Sequence, residues 1–303
     1  MTSNILNKKS VSINTFSYLK SLVLLMKPRV MSLVVFTCAV GLLTSPITIS
    51  FIDSMIGIFF VTIGAGAAGA LNMWYEADLD KLMTRTCLRP IPTGKVDKDH
   101  ALVFGILLSA ISIFGLYYFT NVLSAILLFI TISFYLFVYT IWLKRKTSQN
   151  IVIGGAAGAL PPVIGWTIAT NSLTFEPITF FLIIFFWTPS HFWALSLFKA
   201  YDYKKAKIPM LPITNGVEET KKNIFIYSVL MLPVVAIPYF IGFVSEFYLV
   251  ASLTLSSYYI YVCYKLLDFK KNKFEVYRAK KVFSYSILYL FLIFVLFLID
   301  KLI

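Results

Sequence analysis

Charged side chains are scarce in this sequence. Only 14% of its 303 residues are Asp, Glu, Lys or Arg, whereas 59% are hydrophobic. A soluble globular domain carries about 25% charged residues. A deficit this large over the whole chain therefore predicts that lipid is its solvent. Acidic residues are fewer than basic ones, and the formal net charge is +13.

Cysteine is also rare. Cys38, Cys87 and Cys263 stand far apart, which excludes a disulfide framework and a cysteine-rich metal site. Near the N-terminus, Lys8 and Lys9 lead into a polar stretch without a small-residue cleavage site. This pattern is not that of a signal peptide or a transit peptide.

Long apolar runs make up most of the sequence. A bilayer core about 30 Å thick requires about 20 apolar residues per helix. We therefore predict an all-α, polytopic membrane bundle of nine transmembrane helices. The predicted spans are 28–45, 52–75, 100–120, 122–143, 150–170, 176–198, 223–243, 247–267 and 282–300. Residues 1–26 are expected to form a cytoplasmic or interfacial segment, and residues 27–303 a single transmembrane domain.

Lysine and arginine are unevenly distributed between the predicted loops. All 27 except Lys301 lie in the N-terminal segment, in the loops after the second, fourth, sixth and eighth spans, or within three residues of these regions. The positive-inside rule predicts that these regions are cytoplasmic and that the C-terminus is outside. A nucleic-acid partner is not expected, because no soluble basic domain remains to bind one.

The sequence AAGAL occurs twice, at 67–71 and at 156–160. Small residues allow membrane helices to pack closely, and this is the favoured interpretation. An internal duplication is the alternative.

Asn72, Glu76 and Asp80 are spaced four residues apart at the end of the second span. At about 100° per residue they share one helical face, while Asp78 points away from it if the helix continues. Oxygen ligands suit Mg²⁺, which takes one or two carboxylates together with waters and phosphate oxygens. The spacing therefore predicts a metal site. A solvated acidic helix end is the alternative.

Basic residues accompany this motif. Arg85 and Arg89 follow it, and Lys144 and Arg145 lie in the loop after the fourth span. Guanidinium groups bind phosphate oxygens in pairs, so these cations beside a metal predict a diphosphate site. Simple anchoring under the positive-inside rule is the alternative for the same residues.

The sixth span and the loop after it add three further candidates. Lys199 and Asp202 lie in the loop, where Asp202 is a lone acid among lysines and pairs with charge or binds metal. His191 lies in an aromatic stretch; an interior hydrogen-bonded role competes with contact to a large flat substrate. His100, at the start of the third span, is expected to be solvated.

Five blocks together resemble the heme O synthases (protoheme IX farnesyltransferases) of the UbiA-type intramembrane prenyltransferase superfamily. The blocks are KPRVMSLVVFT (27–37), LNMWYEADLDKLMTRT followed by RPIPTG (71–94), YTIWLKRKTSQNIVIGGAAGALPPVIGW (139–166), WTPSHFWALSL (187–197) and DYKKAKIPMLP (202–212). Two positions depart from the superfamily pattern. Glu76 replaces the usual Asp, and Ala206 stands where a second acid often follows Asp202.

The resemblance implies a nine-helix enzyme that uses Mg²⁺, with farnesyl diphosphate as donor and heme b as acceptor. It implies metal binding and catalysis by Asn72, Glu76, Asp80 and Asp202, diphosphate binding by Arg85, Arg89, Lys144, Arg145 and Lys199, and heme binding by His191. A bacterial inner membrane is the expected location, with the site on the cytoplasmic side. Heme A synthase and terminal-oxidase assembly proteins are the expected partners.

Three other functions stay open. A quinone precursor or chlorophyllide as acceptor would keep the chemistry and change the substrate. A secondary transporter would place its acids near the bilayer midplane, between two related halves. A purely structural assembly subunit would not need the face formed by Asn72, Glu76 and Asp80.

Overall fold

Helices form the whole framework. The computed structural model describes residues 15–268 and 275–303, and in those ranges it contains no strand. The helices of the first half are α1 (Thr15–Leu25), α2 (Pro28–Leu43), α3 (Phe51–Tyr75), α4 (Ala77–Asp80), α5 (Lys98–Phe119), α6 (Val122–Ser133), α7 (Asn150–Ala159) and α8 (Pro161–Thr170). Those of the second half are α9 (Phe175–Phe198), α10 (Ala200–Lys205), α11 (Leu211–Thr214), α12 (Val217–Phe240), α13 (Glu246–Tyr264) and α14 (Glu275–Asp300).

The predicted number of membrane helices agrees with the structure. Within the described residues, eight helical segments are long and apolar enough to cross a membrane. A ninth arises if α1 and α2, which meet at a bend of 53°, form one broken span. One of the eight combines α6 with the π-helix Phe134–Leu143, and another combines α7 with α8. The chain is an integral, multi-pass membrane protein.

Two helices begin earlier than the predicted spans. Helix α12 starts at Val217 and α14 at Glu275, whereas apolar runs alone gave starts at 223 and 282. The added turns are polar and carry Glu218 and Glu219 in α12. Acids in a first turn interact favourably with the helix dipole, which explains why these helices extend beyond their apolar parts.

Contacts at the bundle ends show which loops lie together. Lys301 Nζ donates hydrogen bonds to the carbonyls of Thr44 (3.4 Å) and Ser45 (2.7 Å). Asn121 Nδ2 donates to the carbonyl of Thr167 (2.8 Å). These contacts gather the C-terminus and the loops that lack Lys and Arg at one end. The basic loops therefore lie at the opposite end.

Helices α2 and α8 approach closely through glycine. A Cβ atom at Gly165 would overlap the backbone carbonyl of Cys38, and one at Gly41 would overlap the backbone of Pro162. Gly64, in the small-residue segment of α3, would likewise crowd the side chain of Leu128. Small residues let membrane helices approach one another, so close packing accounts for these positions.

We expect Gly165→Ala to destabilise the bundle by about 1–3 kcal/mol, because the added methyl group forces α2 and α8 apart. Thermal unfolding in detergent would measure this as a lower Tm. Gly158→Ala is the matched control, since no atom lies within 4 Å of a Cβ built there and alanine favours helix over glycine by up to about 1 kcal/mol. Equal Tm values for the two variants would contradict the close approach.

Candidate functional site

The acidic motif lies where α3 ends. The helix stops at Tyr75, Glu76 follows with φ −89° and ψ 10°, and α4 continues from Ala77 to Asp80. The uninterrupted helix assumed from the sequence is therefore broken at Glu76. The one-turn spacing persists nevertheless, because Glu76 N donates to Asn72 O (3.0 Å) and Asp80 N donates to Glu76 O (2.8 Å).

This geometry buries three of the four polar side chains of the motif. Asn72, Glu76 and Asp80 are 2%, 3% and 2% exposed. The side chain of Asp78 is 60% exposed. The four-residue spacing in the sequence predicted the same division, with Asp78 pointing away from the other three. A buried carboxylate requires a paired charge or a metal, so the partners of the buried three define the site.

Each buried oxygen group has a cationic partner. The pairs are Lys27 Nζ with Asn72 Oδ1 (2.5 Å), Lys144 Nζ with Glu76 Oε1, and Arg89 Nη1 with Asp80 Oδ2 (2.8 Å). The cations come from the α1–α2 junction, the end of the π-helix and the loop after α4. Three segments distant in sequence thus converge on one motif. Lys144 and Arg89 were among the residues selected from the sequence, and Lys27 was not.

Lys27 reaches the motif because the chain bends at this residue. It adopts a left-handed conformation with φ 56° and ψ 57° between α1 and α2. Such a conformation is costly for a residue other than glycine and is concentrated at functional sites. The following Pro28 disfavours right-handed helix at Lys27. The Lys-Pro pair was the sequence signal that could have identified this residue.

The π-helix orients the amide of Asn72. Thr140 Oγ1 donates to the carbonyl of Tyr135, five residues earlier (2.8 Å), and accepts a hydrogen bond from Asn72 Nδ2 (3.0 Å). With its nitrogen engaged in this way, the amide directs Oδ1 towards Lys27. Thr140 is 1% exposed. Short π-helical segments often occur at functional sites, and this one was not predicted.

Asp202 holds the loop that follows α4. Its carboxylate accepts hydrogen bonds from Thr84 Oγ1 (2.7 Å) and Thr84 N (3.5 Å). Tyr203, the next residue, packs with Met83 in a small apolar cluster. Among the described residues Asp202 makes no hydrogen bond or ion pair with the buried motif, and no three His, Cys, Asp or Glu side chains could together hold a metal ion. The structure therefore does not bring Asp202 into the predicted ligand set.

Arg145 pairs with the outward acid instead of the buried motif. Its guanidinium donates to both carboxylate oxygens of Asp78, at 3.1 and 3.0 Å, and lies 5.2 Å from the ring centre of Tyr75. Burial raises the pKa of Asp78, but the hydrogen bond and charge of Arg145 outweigh it and hold the pKa below its ordinary value. The pair therefore lies on the exposed side of the motif.

Arg85 and Lys199 are the two remaining predicted cations. Arg85 is exposed and follows Thr84, which Asp202 holds. Lys199 is half-buried just before α10. In the part of the chain that the structure describes, neither makes an ion pair with an acid.

His191 is an interior residue. Its ring lies between those of Trp187 (4.3 Å between centres) and Phe283 (4.6 Å), and Nδ1 hydrogen-bonds Ser286 Oγ (2.7 Å). This arrangement fits the interior interpretation of His191. At the interface, His100 Nδ1 hydrogen-bonds the hydroxyl of Tyr18 (3.1 Å) and remains exposed, as expected.

The sequence matches the UbiA prenyltransferase family over residues 33–287. The chain belongs to the UbiA prenyltransferase family. It is 68% identical over 301 residues to the protoheme IX farnesyltransferase of Pelagibacter ubique (strain HTCC1062), with 99% of each chain covered. It is 51% identical over 277 residues to protoheme IX farnesyltransferase 2 of Mesorhizobium japonicum, covering 91% of this chain and 88% of that one. This UbiA family member is therefore an enzyme of the prenyltransferase class.

Solved structures share the fold. A structure of digeranylgeranylglyceryl phosphate synthase aligns with a TM-score of 0.77 at 18% identity, covering 94% of this chain and 98% of that one. A UbiA homolog from Archaeoglobus fulgidus bound to DMAPP and Mg²⁺ aligns with a TM-score of 0.68 at 16% identity, covering 91% and 99%. At these identities the likeness establishes the UbiA fold of this chain.

We expect Thr140→Val to lower stability by about 1–2 kcal/mol, because the amide nitrogen of Asn72 loses its acceptor inside the bundle. Thermal unfolding in detergent would show this as a lower Tm. Thr131→Val is the control in the same span, since the Thr131 hydroxyl bonds only to the carbonyl of Leu127 in its own helix (2.7 Å). If both variants melted at one temperature, Thr140 would not support the motif.

Proposed function

We propose that this enzyme transfers the farnesyl group of farnesyl diphosphate to a vinyl group of heme b, giving heme O and diphosphate in a Mg²⁺-dependent reaction. The buried motif carries the chemical part of this proposal, because three oxygen groups and three cations are gathered at one point. The relatives named protoheme IX farnesyltransferase, at 68% and 51% identity, support the choice of substrates.

The motif fits magnesium. It offers the amide oxygen of Asn72 and the carboxylates of Glu76 and Asp80, all buried. Mg²⁺ is usually bound by one or two carboxylates and completes its shell with waters and substrate phosphates, so a third acid is not needed. When bound, it would supply positive charge to the diphosphate oxygens. The Archaeoglobus fulgidus homolog bound to DMAPP and Mg²⁺ supports this choice of metal.

Lys27, Lys144 and Arg89 bind the diphosphate in this proposal. Each now contacts a motif oxygen, and each would be available to phosphate with those oxygens holding the metal. The allylic C–O bond breaks with its electron pair on the leaving oxygen, so negative charge on the diphosphate grows during the step. The three cations therefore stabilise the transition state more than the ground state.

The acceptor supplies the electrons for the new bond. The π electrons of the vinyl group form the C–C bond to farnesyl, and water then adds to the resulting cation and loses a proton. Tyr135 and Tyr139, with ring centres 5.3 Å apart, lie beside this chemistry, at 6.0 Å from Lys27 Nζ and 5.6 Å from Lys144 Nζ respectively. Their faces stabilise allylic positive charge, and their bulk limits quenching by water.

We place the motif end of the bundle at the cytoplasm, in the inner membrane of a bacterium. The basic loops share that end, and basic loops stay in the cytoplasm. The external C-terminus follows from the same argument. Heme O made there is available to heme A synthase and to terminal oxidases.

Mass spectrometry of extracted hemes tests the function. In a host without heme O, we expect expression of the parental chain to produce hydroxyethylfarnesyl heme. Asp80→Asn should lower its rate of formation in purified protein by about 10²–10³-fold, because the buried group loses the charge that holds metal. Asp78→Asn is the control and should stay within a few-fold, since its exposed ion pair contributes little.

Two outcomes would contradict the proposal. A prenylated quinone precursor in place of prenylated heme would keep the transferase and reject the acceptor. Equal rates for the parental chain and Asp80→Asn would reject the metal role of the motif.

We expect Lys27→Gln to weaken binding of a non-hydrolysable farnesyl thiodiphosphate by about tenfold or more in the presence of Mg²⁺, because a buried charge–phosphate contact is lost. Calorimetry in detergent measures the affinity. Lys20→Gln, an exposed position on α1, removes the same charge nearby and should bind as the parental chain does. Unchanged affinity in Lys27→Gln would exclude Lys27 from the diphosphate site.

A further inference from the structure

A cavity lies between α13 and α14, at the same end of the bundle as the acidic motif. Its volume is about 350 Å³. The lining residues are Tyr261, Val262, Lys265, Tyr277, Arg278 and Lys281. None of these belongs to the proposed catalytic site, and we call this space the α13–α14 cavity.

The α13–α14 cavity carries an excess of positive charge. Arg278 Nη1 donates to Asp268 Oδ2 at 2.8 Å, which balances one of its three cations. Among the described residues, Lys265 and Lys281 have no acidic partner. Two uncompensated ammonium groups in one cavity attract an anion.

A buried ion pair fixes the frame of the cavity. Lys221 of α12 is 3% exposed. Its Nζ lies 3.3 Å from Glu275 Oε1 and donates to the carbonyl of Asp268 at 3.4 Å. These contacts tie the first turn of α14 and the end of the α13 segment to α12. The walls of the cavity are therefore held in place by contacts with α12. Lysines that only anchor a loop at the membrane surface would not need such contacts.

The mouth of the cavity has the character of a membrane interface. Tyr261 is 49% exposed and Tyr277 is 64% exposed, and Tyr264 beside them is 63% exposed. Lys265 Nζ lies 4.4 Å from the ring centre of Tyr261. Exposed tyrosines at the ends of membrane helices lie at the level of the lipid headgroups. The anionic groups nearest to these cations are therefore those of lipid headgroups.

We propose that the α13–α14 cavity binds the phosphate of an anionic phospholipid. Lys265 and Lys281 contact the phosphate, and the tyrosines flank the glycerol region. Basic pockets between membrane helices on the cytoplasmic side recognise anionic headgroups in this way. This site would make the enzyme's lipid surroundings selective without taking part in prenyl transfer.

Native mass spectrometry of the full chain in detergent tests this. Phosphatidylglycerol and phosphatidylcholine would be titrated separately, and the number and affinity of retained lipids recorded. We expect the parental chain to prefer phosphatidylglycerol, and Lys265→Gln/Lys281→Gln to bind it about tenfold more weakly. Lys222→Gln/Lys280→Gln removes the same charge from exposed positions outside the cavity and should keep the preference.

Three outcomes would overturn the proposal. Equal loss of phosphatidylglycerol in the two double variants would mean that net charge, and not the cavity, attracts lipid. An unchanged preference in the cavity variant would place the lipid elsewhere. Competition by glycerol 3-phosphate at the lipid's own concentration would identify a soluble phosphate as the ligand. Matching Tm values for both variants and the parental chain would show that folding is intact.

Discussion

The burial of ionised groups at the end of α3 is the constraint on which the site depends. An unpaired buried carboxylate destabilises a fold by several kcal/mol, so Glu76 and Asp80 must be met by cations. Lys144 and Arg89 meet them and Lys27 meets the neighbouring amide. Because these cations come from three connecting segments, the pairing also fixes how those segments fold over the helix end.

If the motif binds metal and diphosphate as proposed, the same pairing links the two binding events. Without metal the cations neutralise the motif, and without cations the motif would repel a diphosphate. A diphosphate that arrives alone would have to break ion pairs and leave Glu76 and Asp80 uncompensated. A metal that arrives alone would displace cations and leave them close together without counter-charge. Either event alone would leave buried charge unpaired, so under the proposed function entry of the metal and the diphosphate together would be favoured over either separately.

Some of this could be predicted from the sequence, for identifiable reasons. Apolar run length gave the membrane helices, and a four-residue spacing separated the buried Asn72 from the exposed Asp78 through local geometry alone. Lys27 was missed because its contact with Asn72 spans 45 residues and depends on a bend. The role of Thr140 was missed because it depends on a π-helical hydrogen bond, and hydropathy does not distinguish a π-helix from an α-helix.

Asp202, which was predicted from the sequence as a metal ligand, supports the acidic motif from outside it. No second acid stands one turn after Asp202, since Ala206 occupies that position. In the structure its carboxylate holds both the hydroxyl and the backbone of Thr84. Thr84 lies in the loop that returns Arg89 to Asp80. Asp202 therefore influences the buried charges indirectly, because it holds the loop that carries Arg89 to Asp80. With no second acid one turn away, its carboxylate is available to bind Thr84.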